Sequence, residues 1–473
     1  MAYFNFTSGS LKRYELLNKD VEVARFSVDR ATESVVDFQW SETGVRPIGF
    51  GDIASFISSR KAPSNRAHIR RVLHTLGADT FTGYLDVVHA LSVNDTFWVR
   101  RVGEDVSWAD ANLFDNELNE AISRIAFEGG LVGQDLDLST PSPEPSLDGS
   151  FAKCVIRHDG SLYIMKAPTT EEDGERWHPW SEVMSYQVAR AMGVDCVPYS
   201  LVERVSGTSG ERMTATICPL FTSASVGYAP ARRWLSRPVA DYAELLGAYA
   251  SVGSETAFRR MVVLDALTLN VDRHMGNHGI LFDTETLEPL GMAPVFDNNL
   301  SFCPRCVTNP ADGFYRHARE NCRPAIGSDF VLVARTALTD DIAERLDGLR
   351  SFSFDRKALA GMPEERVSML EGVVRAQAEA ILSDEREGFN LTSERELELK
   401  WQLDGWPEDS EPDEYSLTDM IGEVRLAESQ PTLPVGDTPS PNAQPHQKPR
   451  GLARAMTDGL AGSGPEDGMP LSQ

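Results

Sequence analysis

Two short polar segments carry residue types that suit chemistry on phosphate groups. The first reads Asn270-x-Asp272-x-His274-x-x-Asn277, and the second reads Asp297-Asn298-Asn299. An aspartate can orient an attacking hydroxyl, whereas an asparagine and a second aspartate offer the hard oxygen ligands that Mg²⁺ takes beside nucleotide phosphates. Each segment alone is ordinary, since the first could end a capped helix and the second could form a turn. Their joint occurrence indicates phosphoryl transfer.

The elements around these segments place them at the two mouths of one hairpin. Upstream, a face at helical spacing stops at Asn270, and its members are Phe258, Met261, Val262, Asp265, Ala266 and Leu269. Downstream, residues 279–282 and 292–296 are predicted as two strands joined by the polar turn 283–286. The predicted order is therefore buried helix, polar loop, β-hairpin and acidic loop.

Through these two segments the chain resembles the HipA-like serine/threonine kinases, bacterial proteins best known from toxin–antitoxin pairs. The resemblance covers residues 146–385, and its core is equally similar to phosphatidylinositol 3- and 4-kinases. It implies that Asp272 is the catalytic base and that Asn277 and Asp297 bind Mg²⁺. His274 would support the loop close to the phosphates of ATP.

A lysine–glutamate pair is predicted upstream of these segments. Residues 161–167 read as the return strand of a hairpin, and Lys166 lies on its apolar face. A lysine there needs an anion, because burying an unpaired ammonium is costly. Glu182 opens the next predicted helix, which ends at Gly193. Such a pair holds nucleotide phosphates in kinases, and an ordinary ion pair is the alternative.

The loop before this hairpin departs from the protein-kinase pattern, because no Gly-x-Gly-x-x-Gly occurs there. The resemblance instead aligns Asp148-Gly149-Ser150 with the short phosphate loop of HipA-like kinases. It implies that Lys153 is a second phosphate contact and that Ser150 is a position of autophosphorylation. A Ser150 hydroxyl that only bonds the turn backbone is the alternative.

The predicted fold is α+β: a two-lobed, protein-kinase-like fold with an α/β N-terminal extension. The extension covers residues 1–128 and is predicted as a scaffold, with a docking module as the alternative. A Pro/Ser-rich linker outside any core is predicted over 129–147. A small lobe of five strands and one helix follows over 148–222, and a large, mostly helical lobe over 223–408. The acidic tail, residues 409–473, is predicted to be disordered.

Charge and hydropathy restrict the partners. The net charge of −26 argues against direct nucleic-acid binding. Five basic residues form either a local basic patch or, as is favoured, a solvated helix face: Arg60, Lys61, Arg66, Arg70 and Arg71. No run of about 18 apolar residues occurs, and the start is unlike a signal peptide, so a cytoplasmic protein without a membrane segment is expected.

One cysteine cluster invites comparison with a zinc site. It consists of Cys303, Cys306, His317 and Cys322. Two cysteines separated by two residues suit structural Zn²⁺, but the later spacing is irregular, so unrelated thiols are the favoured reading.

The sequence thus predicts an ATP- and Mg²⁺-dependent kinase that acts on a serine or threonine of a protein substrate. The resemblance also implies an antitoxin-like partner. A lipid or small-molecule kinase would use the same loops, but no basic cluster suited to inositol phosphates follows Asp297. A non-catalytic nucleotide-binding module is disfavoured because Lys166, Asp272, Asn277 and Asp297 are all present.

Overall fold

The fold was analysed in a computed structural model. It describes residues 11–42, 44–129, 140–168, 177–207, 209–239, 241–304, 314, 318 and 321–383. The architecture is α+β, as predicted, with three antiparallel sheets and surrounding helices. Among these residues, no helix combines the length and the apolar character that crossing a bilayer requires. The predicted disordered tail, 409–473, lies outside the described residues.

The first sheet has the strand order β3-β2-β1-β4. Its strands are β1 (Leu11–Asn18), β2 (Val21–Asp29), β3 (Ser34–Trp40) and β4 (Phe97–Arg101). Its helices are α1 (Ile53–Ser58), α2 (Ile69–Leu76), α3 (Phe81–Val88), α4 (Trp108–Ala111) and α5 (Glu120–Glu128). Alternate strand residues such as Tyr14, Leu16 and Phe26 face a core shared with these helices, as the period of two in a strand requires.

The segment that follows this sheet corrects the prediction of a linker outside any core. Of residues 129–147, the described part includes a 3-10 turn over Glu144–Ser146, and Glu144 is fully buried. Its carboxylate accepts hydrogen bonds from Ser123 Oγ at 2.8 Å and from the Val155 amide at 3.1 Å. The segment is packed because a buried acid satisfies backbone and side-chain donors there, which composition alone does not reveal.

The second sheet has the order β5-β6-β8-β7. Its strands are β5 (Lys153–His158), β6 (Ser161–Lys166), β7 (Ser200–Val205) and β8 (Arg212–Pro219). In the described part of residues 148–222, four strands are observed where five were predicted. The accompanying helix α6 (His178–Met192) begins before Glu182, so this glutamate lies in the second turn and not at the helix start. The helix ends as predicted at Gly193, whose φ is +62°.

The rest of the described chain contains the third sheet, six α-helices and two 3-10 helices, Leu349–Ser351 and Arg356–Leu359. The sheet, ordered β11-β10-β9, contains β9 (Val226–Pro230), β10 (Gly279–Asp283) and β11 (Pro289–Met292). The helices are α7 (Ala231–Trp234), α8 (Tyr242–Ser251), α9 (Glu255–Thr268), α10 (Phe330–Thr336), α11 (Asp340–Gly348) and α12 (Glu364–Leu382). Residues 261–268 of α9 are all buried, so this helix is the centre of the core.

The predicted strand over 292–296 is misplaced. The hairpin partner of β10 ends at Met292, and Val295 instead forms an isolated bridge with Cys196. The Val295 amide donates to Asp195 O at 2.8 Å, and the Val197 amide donates to Val295 O at 2.9 Å. The apolar run therefore pairs with the segment before β7, and this contact carries the acidic loop toward the second sheet.

Candidate active site

Lys166 lies between two carboxylates at the end of β6. Its Nζ is 2.6 Å from Glu182 Oε1 and 2.6 Å from Asp297 Oδ1. All three side chains are largely buried, with exposed fractions of 12% for Lys166, 1% for Glu182 and 19% for Asp297. The predicted lysine–glutamate pair is therefore formed, and it reaches the acidic loop as well.

The acidic loop, residues 297–299, is held in place by hydrogen bonds from its backbone amides to side chains of other elements. The Asn298 amide donates to Glu182 Oε2 at 2.7 Å, and the Asp297 amide donates to the Tyr199 hydroxyl at 3.1 Å. Asp297 has a φ of +56°, a left-handed conformation that costs energy for a residue with a side chain. Such strain persists only where surrounding contacts impose it, and here they aim the Asp297 carboxylate at Lys166.

Burial and charge act in opposite directions on this carboxylate. Burial raises the pKa of Asp297, but the Lys166 and Lys153 ammonium groups outweigh it and hold that pKa well below its usual value. Asp297 is consequently ionised across the physiological range. An ionised carboxylate beside two cations suits the binding of a metal–phosphate complex.

Lys153 and Lys166 stand directly opposite each other on β5 and β6. Like charges in that position repel, and burial lowers the pKa of Lys153 to about 8. The Lys153 Nζ donates to Asp148 O at 2.5 Å. It also lies so close to Gly149 that a Cβ there would come within 2.5 Å of it, and Gly149 has a φ of +85°. The loop thus wraps around the Lys153 ammonium, which glycine alone permits.

The first polar segment forms a compact loop after α9. The Asn270 side chain donates to Asp265 Oδ1 at 3.0 Å and accepts from the Asp272 amide at 3.1 Å. The side-chain nitrogen of Asn277, Nδ2, donates to Asp272 O at 2.8 Å. Because that nitrogen is used within the loop, the Asn277 amide oxygen is the atom suited to ligate a cation.

Arg273 joins this loop to the acidic loop. Its guanidinium is fully buried and pairs with Asp265 at 2.9 Å. It also donates to Asn277 O at 3.0 Å, to Phe296 O at 2.6 Å and to Asn298 Oδ1 at 2.5 Å. One side chain therefore fixes the spacing of the two segments that the sequence singles out.

Asp272 lies at the mouth of this loop with about a third of its side chain exposed. Burial raises its pKa, the neighbouring His274 lowers it, and Asp297 raises it further, with a net increase. The His274 Nδ1 accepts from the Gly276 amide at 2.9 Å, so Nε2 carries the proton and lies 3.9 Å from Asp272 Oδ1. A carboxylate with a raised pKa is a stronger base than an exposed one.

The donor set fits Mg²⁺ better than Zn²⁺. Within the described part of the chain, no group of three or more His, Cys, Asp or Glu side chains has the arrangement of a metal site. Mg²⁺ is commonly held by one or two protein oxygens together with substrate phosphates, which Asn277 and Asp297 could supply. Of the zinc candidates, Cys303 and Cys322 have sulfur atoms 3.1 Å apart, while Cys306 and His317 lie outside the described residues.

The structure places the sequence-predicted residues in two neighbouring groups, close enough for Asp297 to act on the pKa of Asp272 and for His274 to act on that of Asp297. Lys166, Glu182 and Asp297 are in direct contact, and Lys153 adjoins them, whereas Asp272, His274 and Asn277 share the loop after α9. Three features of the site were not predicted from the sequence: Arg273, its pairing with Asp265, and the contact of Tyr199 with the Asp297 amide. The sequence did contain a sign of this pairing in Asp265, because an acidic residue on the buried face of a helix requires a partner.

Comparisons with known proteins give distant matches. No family model and no curated protein matches the chain. The chain is similar to the Helicobacter pylori proinflammatory kinase CtkA, with 16% identity and a TM-score of 0.36 over 52% of this chain and 95% of that one. It is also similar to HipA of Shewanella oneidensis MR-1, solved with HipB and operator DNA, with 11% identity and a TM-score of 0.40 over 78% of this chain and 97% of that one.

A HipA and a kinase are thus among the proteins to which this chain is similar. Both likenesses are distant, and neither assigns a function to an individual residue of this chain.

Proposed function

We propose that this chain is an ATP-dependent kinase of the HipA-like type, which transfers the γ-phosphate of ATP to a serine or threonine hydroxyl of a protein. The observation that carries the proposal is the pair of lysines opposed on β5 and β6, of which Lys153 is buried and Lys166 has 12% of its side chain exposed. Two such cations next to each other are unfavourable unless anions compensate them. Asp297 and Glu182 compensate Lys166, and the phosphates of a nucleotide would compensate Lys153.

In this proposal the second sheet and α6 form a small lobe, and the helices around α9 form a large lobe. Lys166 binds phosphate oxygens, and Glu182 fixes its ammonium by the 2.6 Å contact. Asn277 and Asp297 hold Mg²⁺, which would neutralise charge on the transferring phosphoryl group. The low pKa of Asp297 supports this assignment, because a protonated carboxyl group is a poor ligand.

Asp272 would accept the proton of the attacking hydroxyl. Its raised pKa makes it a better acceptor than an exposed aspartate, and its exposed edge leaves room for a substrate side chain. Arg273 keeps Asp272 and Asp297 at a fixed spacing by binding both loops. His274 supports the loop, and its Nε2–H faces the Asp272 carboxylate.

The acceptor is proposed to be a protein, and an antitoxin-like partner is proposed from the resemblance of the same loops. Incubating the purified chain with γ-labelled ATP, Mg²⁺ and a cell lysate tests the acceptor class. Label on serine or threonine of protein supports the proposal, whereas label on extracted lipid or on small molecules would assign the acceptor to another class.

Nucleotide binding is tested separately by thermal unfolding. ATP should stabilise the native state by mass action only when Mg²⁺ is present, because Asn277 and Asp297 act through the metal. An equal shift with and without EDTA would contradict the metal assignment. Asp283→Asn, at the last residue of β10, serves as a control that should respond like the unaltered protein.

A further inference from the structure

The loop before β5 is bound by residues that precede α2. The Ala62 amide donates to Pro145 O at 2.7 Å, and the Ala67 amide donates to Ser150 O at 2.9 Å. Ala62 and Ala67 belong to the segment between α1 and α2, which packs with the first sheet. The region predicted as a scaffold, with a docking module as the alternative, therefore contacts the proposed phosphate loop directly.

Arg66 lies between Ala62 and Ala67 in the sequence. Its side chain makes three hydrogen bonds to this part of the chain, whereas each alanine makes one. Its side chain is buried, with 3% of the residue exposed, and its Nη1 donates to Glu144 O at 2.5 Å and to Leu147 O at 3.4 Å. Its Nη2 donates to Lys153 O at 2.6 Å. The rigid fork of a guanidinium can hold carbonyls at both ends of one loop, which a lysine cannot do.

These contacts correct the prediction for Arg60 and Arg66, whereas Arg70 and Arg71 are exposed on α2, as the favoured prediction of a solvated helix face requires. Arg66 is neither on a solvated helix face nor in an exposed basic patch, and Arg60 is also buried, where it pairs with Asp95 at 2.8 Å. The carboxylate of Glu144 accepts from Ser123, Ser142 and Val155, so Arg66 meets only the carbonyl of that residue. The bonds of Arg66 are thus directed at the loop backbone.

The hydrogen bonds of Arg66 also affect where the Lys153 ammonium lies, because Lys153 is at the end of the same loop. The Lys153 carbonyl is bound by Arg66, and its ammonium crosses the loop to Asp148 O. Arg66 therefore fixes both the start of the loop, through Glu144 and Leu147, and its end, through Lys153. The position of the Lys153 ammonium relative to Gly149 depends on both ends being held.

We infer that Arg66 is a positioning residue for nucleotide binding, which acts by holding the loop of residues 144–153 around Lys153. The inference rests on the proposed function, since it names a further residue that serves the same ATP site. It also gives the region before residue 129 a task in that site.

The test compares Arg66→Met, Arg66→Lys and the control Arg100→Met. Arg100 donates to Val106 O at 2.8 Å and pairs with Glu15, all within the first-sheet region. For each variant, KM for ATP and kcat are measured at saturating Mg²⁺, together with hydrogen exchange of the amides of residues 147–153. The unfolding temperature of each variant sets a measuring temperature at which all three remain folded.

Arg66→Met should raise KM for ATP by about tenfold or more, because charged hydrogen bonds to the loop are lost, while kcat changes less than threefold. Arg66→Lys should recover part of the affinity, since one amine replaces some of the contacts. Amides of residues 147–153 should exchange faster in Arg66→Met, whereas those of β6 and β8 should not. Arg100→Met should lower stability without moving KM.

Equal KM values for Arg66→Met and Arg100→Met would overturn the inference, as would faster exchange spread evenly over the second sheet. If Arg66→Met does not fold, Arg66→Lys carries the same comparison. If the unaltered protein neither binds nor uses ATP, the proposed function fails. In that case the hydrogen-exchange rates of the amides of residues 147–153 are the measurement that shows whether Arg66 orders the loop.

Discussion

Replacing Lys166 with methionine removes the positive charge between Glu182 and Asp297. The methionine fills nearly the same volume, so packing changes little, and the effect is electrostatic. Both carboxylates lie 2.6 Å from the Lys166 Nζ and are largely buried, which means that water replaces little of the lost interaction. Removing one partner of a buried pair costs about 3–5 kcal/mol in the free energy of unfolding. A loss of that size is expected at pH 7.5.

The pH dependence of this loss distinguishes it from a packing defect. In the unaltered protein the pKa of Asp297 is lowered, so its contribution to stability is present above the unfolded pKa of about 3.9 and is lost as pH falls through the lower folded value. The pKa of Lys166 is raised, so its contribution is fully present below an unfolded pKa of about 10.4. The contributions of Asp297 and Lys166 to stability are therefore both level from about pH 5 to about pH 9.

In Lys166→Met the two carboxylates face each other in a buried site, which raises at least one of their pKa values. The penalty is present above that pKa and is relieved as pH falls through it, by about 1.4 kcal/mol per pH unit for one proton. Urea unfolding followed by tryptophan fluorescence at pH 7.5 and pH 5.5 measures this. The variant should be closer to the unaltered protein at pH 5.5.

Two further variants serve as controls for this prediction. Lys19→Met breaks the more exposed pair with Glu285 and should cost only about 0–1 kcal/mol at either pH. Adding Glu182→Gln to Lys166→Met removes one of the facing charges and should restore part of the stability. A Lys166→Met protein with unchanged stability at pH 7.5, or with a penalty that does not shrink at pH 5.5, would refute the reasoning.

Three other predictions concern the rest of the site. Asp265→Asn leaves the buried Arg273 without its carboxylate and should cost about 3–5 kcal/mol in stability, with slower phosphoryl transfer; an unchanged unfolding temperature would argue against the pairing. Because the pKa of Lys153 is about 8, kcat/KM for ATP should fall as pH rises through that value, and Lys153→Arg should remove the fall. Ser150 is exposed, and its phosphorylation would add about −1.5 to −2 charge beside Lys153. Peptide mass spectrometry after incubation with MgATP should find Ser150 phosphorylated, and the kinase activity of the phosphorylated protein should be lower. If active enzyme carries no phosphate on Ser150, autophosphorylation at this position is dismissed.

Patterns with a strong local period were predicted well. Helix α12 has the predicted bounds, Glu364–Leu382, because its apolar positions repeat regularly over five turns. The contact between Lys166 and Glu182 was also predictable, since a lysine on an apolar strand face requires an anion.

Contacts that depend on the folded chain path were not predictable. Arg273 binds Asp265 and the carbonyls of Asn277 and Phe296, and no spacing rule connects these positions. The buried Glu144 lies in a Pro/Ser-rich segment, where composition indicates a linker, and only its distant partners reveal the packing. The same applies to Arg66, whose partners are carbonyls and thus leave no mark in the sequence.

The central claim is that Asp272 acts on the acceptor hydroxyl while the lysines and the metal ligands hold the nucleotide. Asp272→Asn separates these tasks, because it keeps the shape of the side chain and removes the base. Phosphoryl transfer should fall by about 10²–10⁴-fold, while the Kd for MgATP should stay within a few-fold of that of the unaltered protein. Unchanged turnover by Asp272→Asn, measured beside Asp283→Asn as the matched control, would contradict the claim.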